Sequence, residues 1–423
     1  MVTLKTKLVF GGFMAMVLFC LMYSCASDDG GLPDPVTTEN DTNDDPVDDG
    51  PSIIGFLACD GGQAGSYPCN GIDLMSQIPL EIFTALRGND SWGWVDSTTG
   101  REYALMGLNN GTAFVDITSP SNPVYLGKLP SATSSSNWRD IKTYNNHAFI
   151  VAEAEGHGMQ VFDLTRLRDV TTAPETFTAD AVLGEFGSAH NIVINEDSGY
   201  AYIVGASSFE GGPLFVNIQD PINPVVEGGY ADGNYTHDAQ VVTYNGPDTE
   251  HLGKEIFIGS NEDQIVIVDI SDKANPIALA SSEYSNVGYT HQGWFTEDQR
   301  YFLLGDELDE IQIGNRSRTI VFDFSDLDAP VVHTTYLGPT FAIDHNGYVQ
   351  NNDFYLANYT AGMRLIDISD IAATNLTEVA FFDTYPDNDD TSFNGVWSVY
   401  PYLPSGNVIV SDITGGLFIV ARQ

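Results

Sequence analysis

Positive charge is what this chain has least of. Lys and Arg number 16 against 58 Asp and Glu in 423 residues, a formal net charge of −42 at pH 7. So negative a surface repels phosphate backbones and anionic headgroups and draws divalent cations, which excludes nucleic acid as a partner. Its plain reading is a solvated surface suited to a saline habitat. Helical periodicity is scarce too, apart from a short turn near Thr165 to Arg168. Catalytic signatures are missing: there is no G-x-S-x-G elbow, no H-E-x-x-H helix and no Cys nucleophile with a fixed partner. Carboxylate pairs abound, but in so acidic a chain they discriminate nothing. No linker interrupts residues 90–420, so a single large domain is expected.

Long apolar runs are also rare. One, from Leu8 to Tyr23, follows Lys5 and Lys7 and is short for a membrane span. It closes on Ser24 and Cys25 and resembles a bacterial lipoprotein signal, which implies removal of residues 1–24 and acylation of Cys25. Met22 and Tyr23 depart from the usual leucine and small residue, which leaves ordinary signal-peptidase cleavage as the alternative. The following ASDDGG resembles the acidic tag that sends some lipoproteins to the outer face of the outer membrane. Residues 25–51 are Asp, Asn, Thr, Pro and Gly with almost nothing to bury, a disordered, self-repelling tether. The expectation is an outer-membrane lipoprotein facing the exterior and touching the membrane through its lipid alone.

Cysteine is scarce, at four residues. Signal removal takes Cys20 and acylation uses Cys25, which leaves Cys59 and Cys69 in ACDGGQAGSYPCNG. In an oxidising compartment these form a local disulfide; the alternative, a metal clip, lacks a third or fourth soft ligand nearby.

What the chain does have is a repeat. GTAFVDI from Gly111, GMQVFDL from Gly158, GPLFVNI from Gly212, QIVIVDI from Gln264, RTIVFDF from Arg318, GMRLIDI from Gly362 and GLFIVA from Gly416 share one strand pattern. Their anchor residues Asp116, Asp163, Asn217, Asp269, Asp323 and Asp367 are spaced by 47, 54, 52, 54 and 44 residues, with Ala421 in the seventh place. Such intervals suit one four-stranded propeller blade. Continuous apolar runs suit sheets buried on both faces, and the repeated Asp suits the Pro turn that follows. The fold class is therefore all-β, a seven-bladed β-propeller in residues 52–423. The last unit lacks a fourth strand, which IDLMSQIPLEIF between Ile72 and Phe83 is expected to supply.

The repeated strand, best copied in IVIVDI at Ile265, resembles the LVIVD repeat. WRDIK, HGMQVFDL, GSAHNIVIN, YTHDAQ, YTHQGWFTEDQRYFLLGDELDE and DHNGYV together resemble the choice-of-anchor B proteins over roughly Ile53 to Arg422. That resemblance implies an exported bacterial surface protein built of repeats, held here through Cys25, and carries no activity to transfer.

Aligning the units places Trp138 or Arg139, His190, His237, His291, His345 and Asn394 at one position of the first, channel-lining strand, with Trp92 in the first blade. A ring of imidazoles at one axial mouth is expected. Loops opening on that face carry Glu153, Glu155 and His157; Glu210; Glu262 and Asp263; Asp306, Glu307, Asp309 and Glu310; and Asp412. Two readings follow. In the simpler one the histidines tie adjacent blades. In the other, His190, His237, His291 and His345 hold a transition metal or polar ligand, with Glu153 or Asp306 as acid or base. Acidic loops at Tyr230 and Tyr385 have oxygens suited to calcium but lack the full spaced pattern. The first functional reading is a binding scaffold for an extracellular ligand, glycan or protein; the alternative is a metal-dependent hydrolase or lyase.

Overall fold

The computed structural model describes residues 51–423. The expected signal peptide, the acylation expected at Cys25 and the expected tether up to residue 50 lie outside the described residues. The described residues belong to one compact unit. It contains seven antiparallel sheets of four core strands, whose first strands are Gly88–Val95, Arg139–Tyr144, Asn191–Asn195, Asp238–Thr243, Thr290–Phe295, Gly347–Gln350 and Val396–Tyr400, here blades 1 to 7. Each first strand neighbours that of the next blade, and the seventh returns to the first.

The side-chain period of two explains why these strands read as unbroken apolar runs. In Ile265–Asp269, Ile265 and Ile267 enter the cluster between blades 4 and 5, while Val266 and Val268 enter the one between blades 3 and 4. The same sorting yields seven apolar clusters, one per interface. Each blade is stable only between neighbours, so the circle must close.

Closure is made where the sequence places it. Ile72–Ile78 pairs antiparallel with Gly416–Arg422, matching Ile72 to Arg422 and Ile78 to Leu417. Cys59 and Cys69 are joined by a disulfide just upstream. Tyr67–Asn70 adds to the outer edge of blade 6 through Cys69 and Asn70, opposite Phe382 and Phe381. The repeated Asp acts as read: Oδ1 of Asp116, Asp163, Asp269, Asp323 and Asp367 each accepts the backbone N–H two residues on, as does Asn217. The short turn near Thr165 is a 3-10 helix, Leu164–Asp169.

Leu74, fully buried in the closing strand, tests this arrangement. Leu74→Ala should lower the unfolding free energy by about 2–5 kcal/mol in a denaturant titration. A loss within about 0.5 kcal/mol, the scale of an ordinary surface change, would mean that the strand stands outside the cooperative unit.

Candidate functional site

Polar side chains of the first strands bind each blade to the next. The Asp140 carboxylate accepts from Ile192 N–H (2.8 Å), Asn191 donates to the His237 carbonyl (3.1 Å), and Gln240 accepts from Phe295 N–H (2.9 Å). Gln292 exchanges two bonds with Gly347, and Asn346 reaches Ser398. Histidines join this pattern: Nδ1–H of His237 donates to the His291 carbonyl (3.1 Å), and that of His345 to the Trp397 carbonyl (2.5 Å). Nδ1–H of His190 donates instead to Glu153 (2.6 Å). His291 faces the His345 carbonyl but falls outside hydrogen-bonding geometry.

With Nδ1 of His237 and His345 so engaged, their second nitrogen, Nε2, is the acceptor. The rings lie tilted against one another in a row, His190 to His237 at 4.2 Å between centroids, His237 to His291 at 4.3 Å, His291 to His345 at 4.4 Å, then Trp397 edge-on at 4.8 Å. They form an arc over blades 3 to 6 rather than a full ring. The wall is completed by Arg87, Trp138, Glu307, Tyr359, Phe393 and Trp397 around a cavity of about 300 Å³. Trp138 and Phe393 are half exposed at its mouth.

The far end of the channel is closed. Trp92 of blade 1 meets Tyr348 of blade 6 at 5.7 Å and Tyr400 of blade 7 at 4.9 Å, and Trp294 of blade 5 meets Tyr348 at 4.9 Å. Blades 1 and 6 are not neighbours, so these rings cross the axis. Between plug and cavity lie buried Asp90, Asp140, Lys142 and Asp238, with Lys142 2.5 Å from Asp140 and 3.4 Å from Asp90. The cavity is blind.

Several expected positions move. Arg139 does not reach the mouth: it is buried between blades 1 and 2, donating to the Leu108 carbonyl, Ser131 Oγ and Nε2 of His157, and burial lowers it to about 10. Its neighbour Trp138 holds the place. The seventh-blade position is Trp397, not Asn394, because a register shift between Val396 and Ser398 turns Trp397 inward, as one between Thr290 and Gln292 turns His291. Trp92 belongs to the plug at the opposite end.

Asp306 also lies away from the cavity. Its carboxylate accepts from Gly288 N–H, Tyr289 N–H and the Tyr284 hydroxyl and faces Arg318, which also pairs with Asp309. The next residue, Glu307, turns to the axis, where the Tyr359 hydroxyl donates to it (2.9 Å). Strand alternation alone hinted at this: residues 306 and 307 leave the chain on opposite sides. Asp412 accepts from Thr384, Thr414 and Gly415 and holds a turn, while Glu155, Glu210, Glu262 and Asp263 are exposed. Acidic Asp232, Asp387, Asp389 and Asp390 of the two loops read for calcium are exposed as well.

Electrostatics follow burial. Desolvation holds His237 and His291 well below the usual imidazole range and His345 at about 3, so these rings are neutral near pH 7. It lifts Glu307 to about 7 against the lowering effect of the Tyr359 hydroxyl. Nearest to Glu307 are Nε2 of His345 at 3.7 Å and Nε2 of His291 at 3.8 Å. Donor atoms of His237, His291 and Glu307 lie within 4.8 Å of one another.

The LVIVD repeat family matches residues 252–282, which hold the last three strands of blade 4. The chain is a β-propeller that carries an LVIVD repeat. No curated protein matches it. Hydrazine synthase of Kuenenia stuttgartiensis is similar over 76% of this chain and 92% of its own, at 11% identity and a TM-score of 0.53, a likeness of fold. The Cps50 (Swd1) β-propeller domain of Myceliophteria thermophila covers 76% of this chain and 93% of its own, at 11% identity and a TM-score of 0.48.

Stability of this propeller should depend on pH in two opposed ways. Burial raises Asp238 to about 7, beside Asp140 and Lys142, and Asp344 to about 7, beside Asp306 and Asp309, while Glu310 rises to about 11. Raised carboxyls bind more protons folded than unfolded, so stability increases as pH falls from 9 to 7. The neutral histidines act oppositely below about 6.5, where unfolded imidazole charges. A melting temperature that falls as pH rises from about 7 to 9 is expected in a buffer series, the carboxyl and imidazole effects offsetting one another between about pH 6.5 and 4; a steady rise up to pH 9 would show these carboxyls to be ionised in the folded state.

Proposed function

We propose that this chain is a surface-displayed binding propeller that takes a small polar group, such as the terminal unit of a glycan or a polar moiety of an extracellular partner, into its blind axial cavity. The observation that carries the reading is the unused edge of the imidazole arc. Two of the four rings, His237 and His345, already donate through Nδ1 to carbonyls of the next blade and are oriented by that bond. Their remaining acceptors stand in a pocket with aromatic walls and one carboxyl, Glu307. A concave site with few, fixed polar groups on apolar walls is the usual form of a ligand pocket, and about 300 Å³ suits a ligand of monosaccharide size.

The motifs resembling choice-of-anchor B proteins, the LVIVD match and the lipoprotein-like leader support display through an acylated Cys25. Palmitate labelling of cells making the wild type but not Cys25→Ser, with the propeller open to added protease on intact cells, is the expected outcome. Protection from protease until the outer membrane is breached would place it in the periplasm.

For the pocket, a thermal-shift screen of sugars, amino acids and dicarboxylates should return ligands whose shift disappears in Trp138→Ala and Phe393→Ala, two half-exposed positions whose loss leaves the inter-blade bonds intact. Hits that survive both changes would move the binding surface out of the cavity.

A metal-dependent hydrolase or lyase is the second reading, favoured by Glu307 alone. A carboxyl near pKa 7 in a concave pocket has the proton affinity of a general base working at neutral pH. Turnover of ester, peptide or glycan libraries, lost in Glu307→Gln, would bring it forward.

A further inference from the structure

We infer that the axial cavity binds a divalent first-row transition metal ion through His237, His291 and Glu307, with His345 flanking the site and a coordination position left open toward the mouth. The inference rests on the cavity being the ligand pocket and specifies what it holds.

Geometry is the first support. Glu307 Oε2 stands 3.8 Å from His291 Nε2, and Oε1 stands 3.7 Å from His345 Nε2. These gaps exceed hydrogen-bond length, which for N–H···O ends near 3.2 Å. They lie close to the edge of a tetrahedron, about 3.4 Å for metal–ligand bonds of about 2.1 Å. Donor atoms from His237, His291 and Glu307 stand within 4.8 Å of one another, near enough to share one ion. Asp248, His251 and Asp328 form the other such group among the described residues, but His251 already bonds Asp328 there at 3.1 Å and Asp328 is exposed.

Orientation is the second. A metal-binding imidazole characteristically donates its other nitrogen to a carbonyl or carboxylate, which fixes the tautomer and aims the ligand lone pair. Of the proposed ligands His237 donates in this way to the His291 carbonyl, and flanking His345 to that of Trp397, so these blade-to-blade bonds serve as outer shell, while His291 is held by packing alone. The rings are buried in a protein of net charge −42, whose long-range field favours cations. Two imidazoles and a carboxylate suit zinc, copper, nickel or iron(II) better than calcium or magnesium, which take all-oxygen sets.

The test uses the purified full chain, stripped with chelator and titrated with Co²⁺. The expected result is one Co²⁺ per chain, visible bands of a four- or five-coordinate ion, and displacement by Zn²⁺. His291→Ala is the cleanest variant because its Nδ1 holds no blade-to-blade bond; Glu307→Gln keeps shape and removes charge. Each should weaken binding by about 10-fold or more with an unchanged circular dichroism spectrum. Asp328→Asn should leave it unaltered. Absence of stoichiometric Co²⁺, or binding that both site variants retain, overturns the inference. A chain that binds no cobalt yet loses its organic ligands on Trp138→Ala keeps the binding role and drops the metal.

Discussion

Everything near the axis of this fold depends on polar side chains at the inner strands of blades 2 to 6 reaching across to the next blade. Apolar clusters hold the wide outer parts of adjacent blades together, but near the axis the sheets converge and backbone groups would be left facing a channel. Asp140, Asn191, Gln240, Gln292 and Asn346 each satisfy a group on the following blade. A buried polar group without a partner costs about 1–3 kcal/mol, so these bonds set the register of the circle as well as its stability.

The histidines follow from the same constraint. A residue at the rim of an inner strand can spend one polar atom on the neighbour, and imidazole has two on opposite sides of a rigid ring. One nitrogen of His237 and of His345 meets a carbonyl, and the other is presented to the cavity as an acceptor. Structural and ligand-binding readings of such a residue are therefore not exclusive. The tie between blades is what orients the free edge.

Acidity divides in a comparable way. Of the carboxylates that crowd the loops after the second strands, Asp306 and Asp412 stabilise turns, Asp309 pairs with Arg318, and Glu153 supports His190. Glu307 alone among them lines the axial cavity. Charge abundance conceals such a residue in the sequence, because what separates it from Asp306 is the side of the chain from which it leaves.

Periodicity and spacing by themselves determined the seven blades, the closing strand at Ile72–Ile78 and the turn role of the repeated Asp, because each is local or repeats at fixed intervals. The pairing of His237 with His291 was also legible as an equivalent position 54 residues apart. Tertiary structure decided the rest. Bulges at His291 and Trp397 rotate side chains toward the axis without leaving a mark in the hydrophobic pattern, and so displaced Asn394 from the alignment. Arg139 turned between blades, Trp92 fell to the opposite end, and Tyr359 joined Glu307 from another blade. Which donors converge on one point depends on the angle between blades and the register across them, quantities that no single segment encodes.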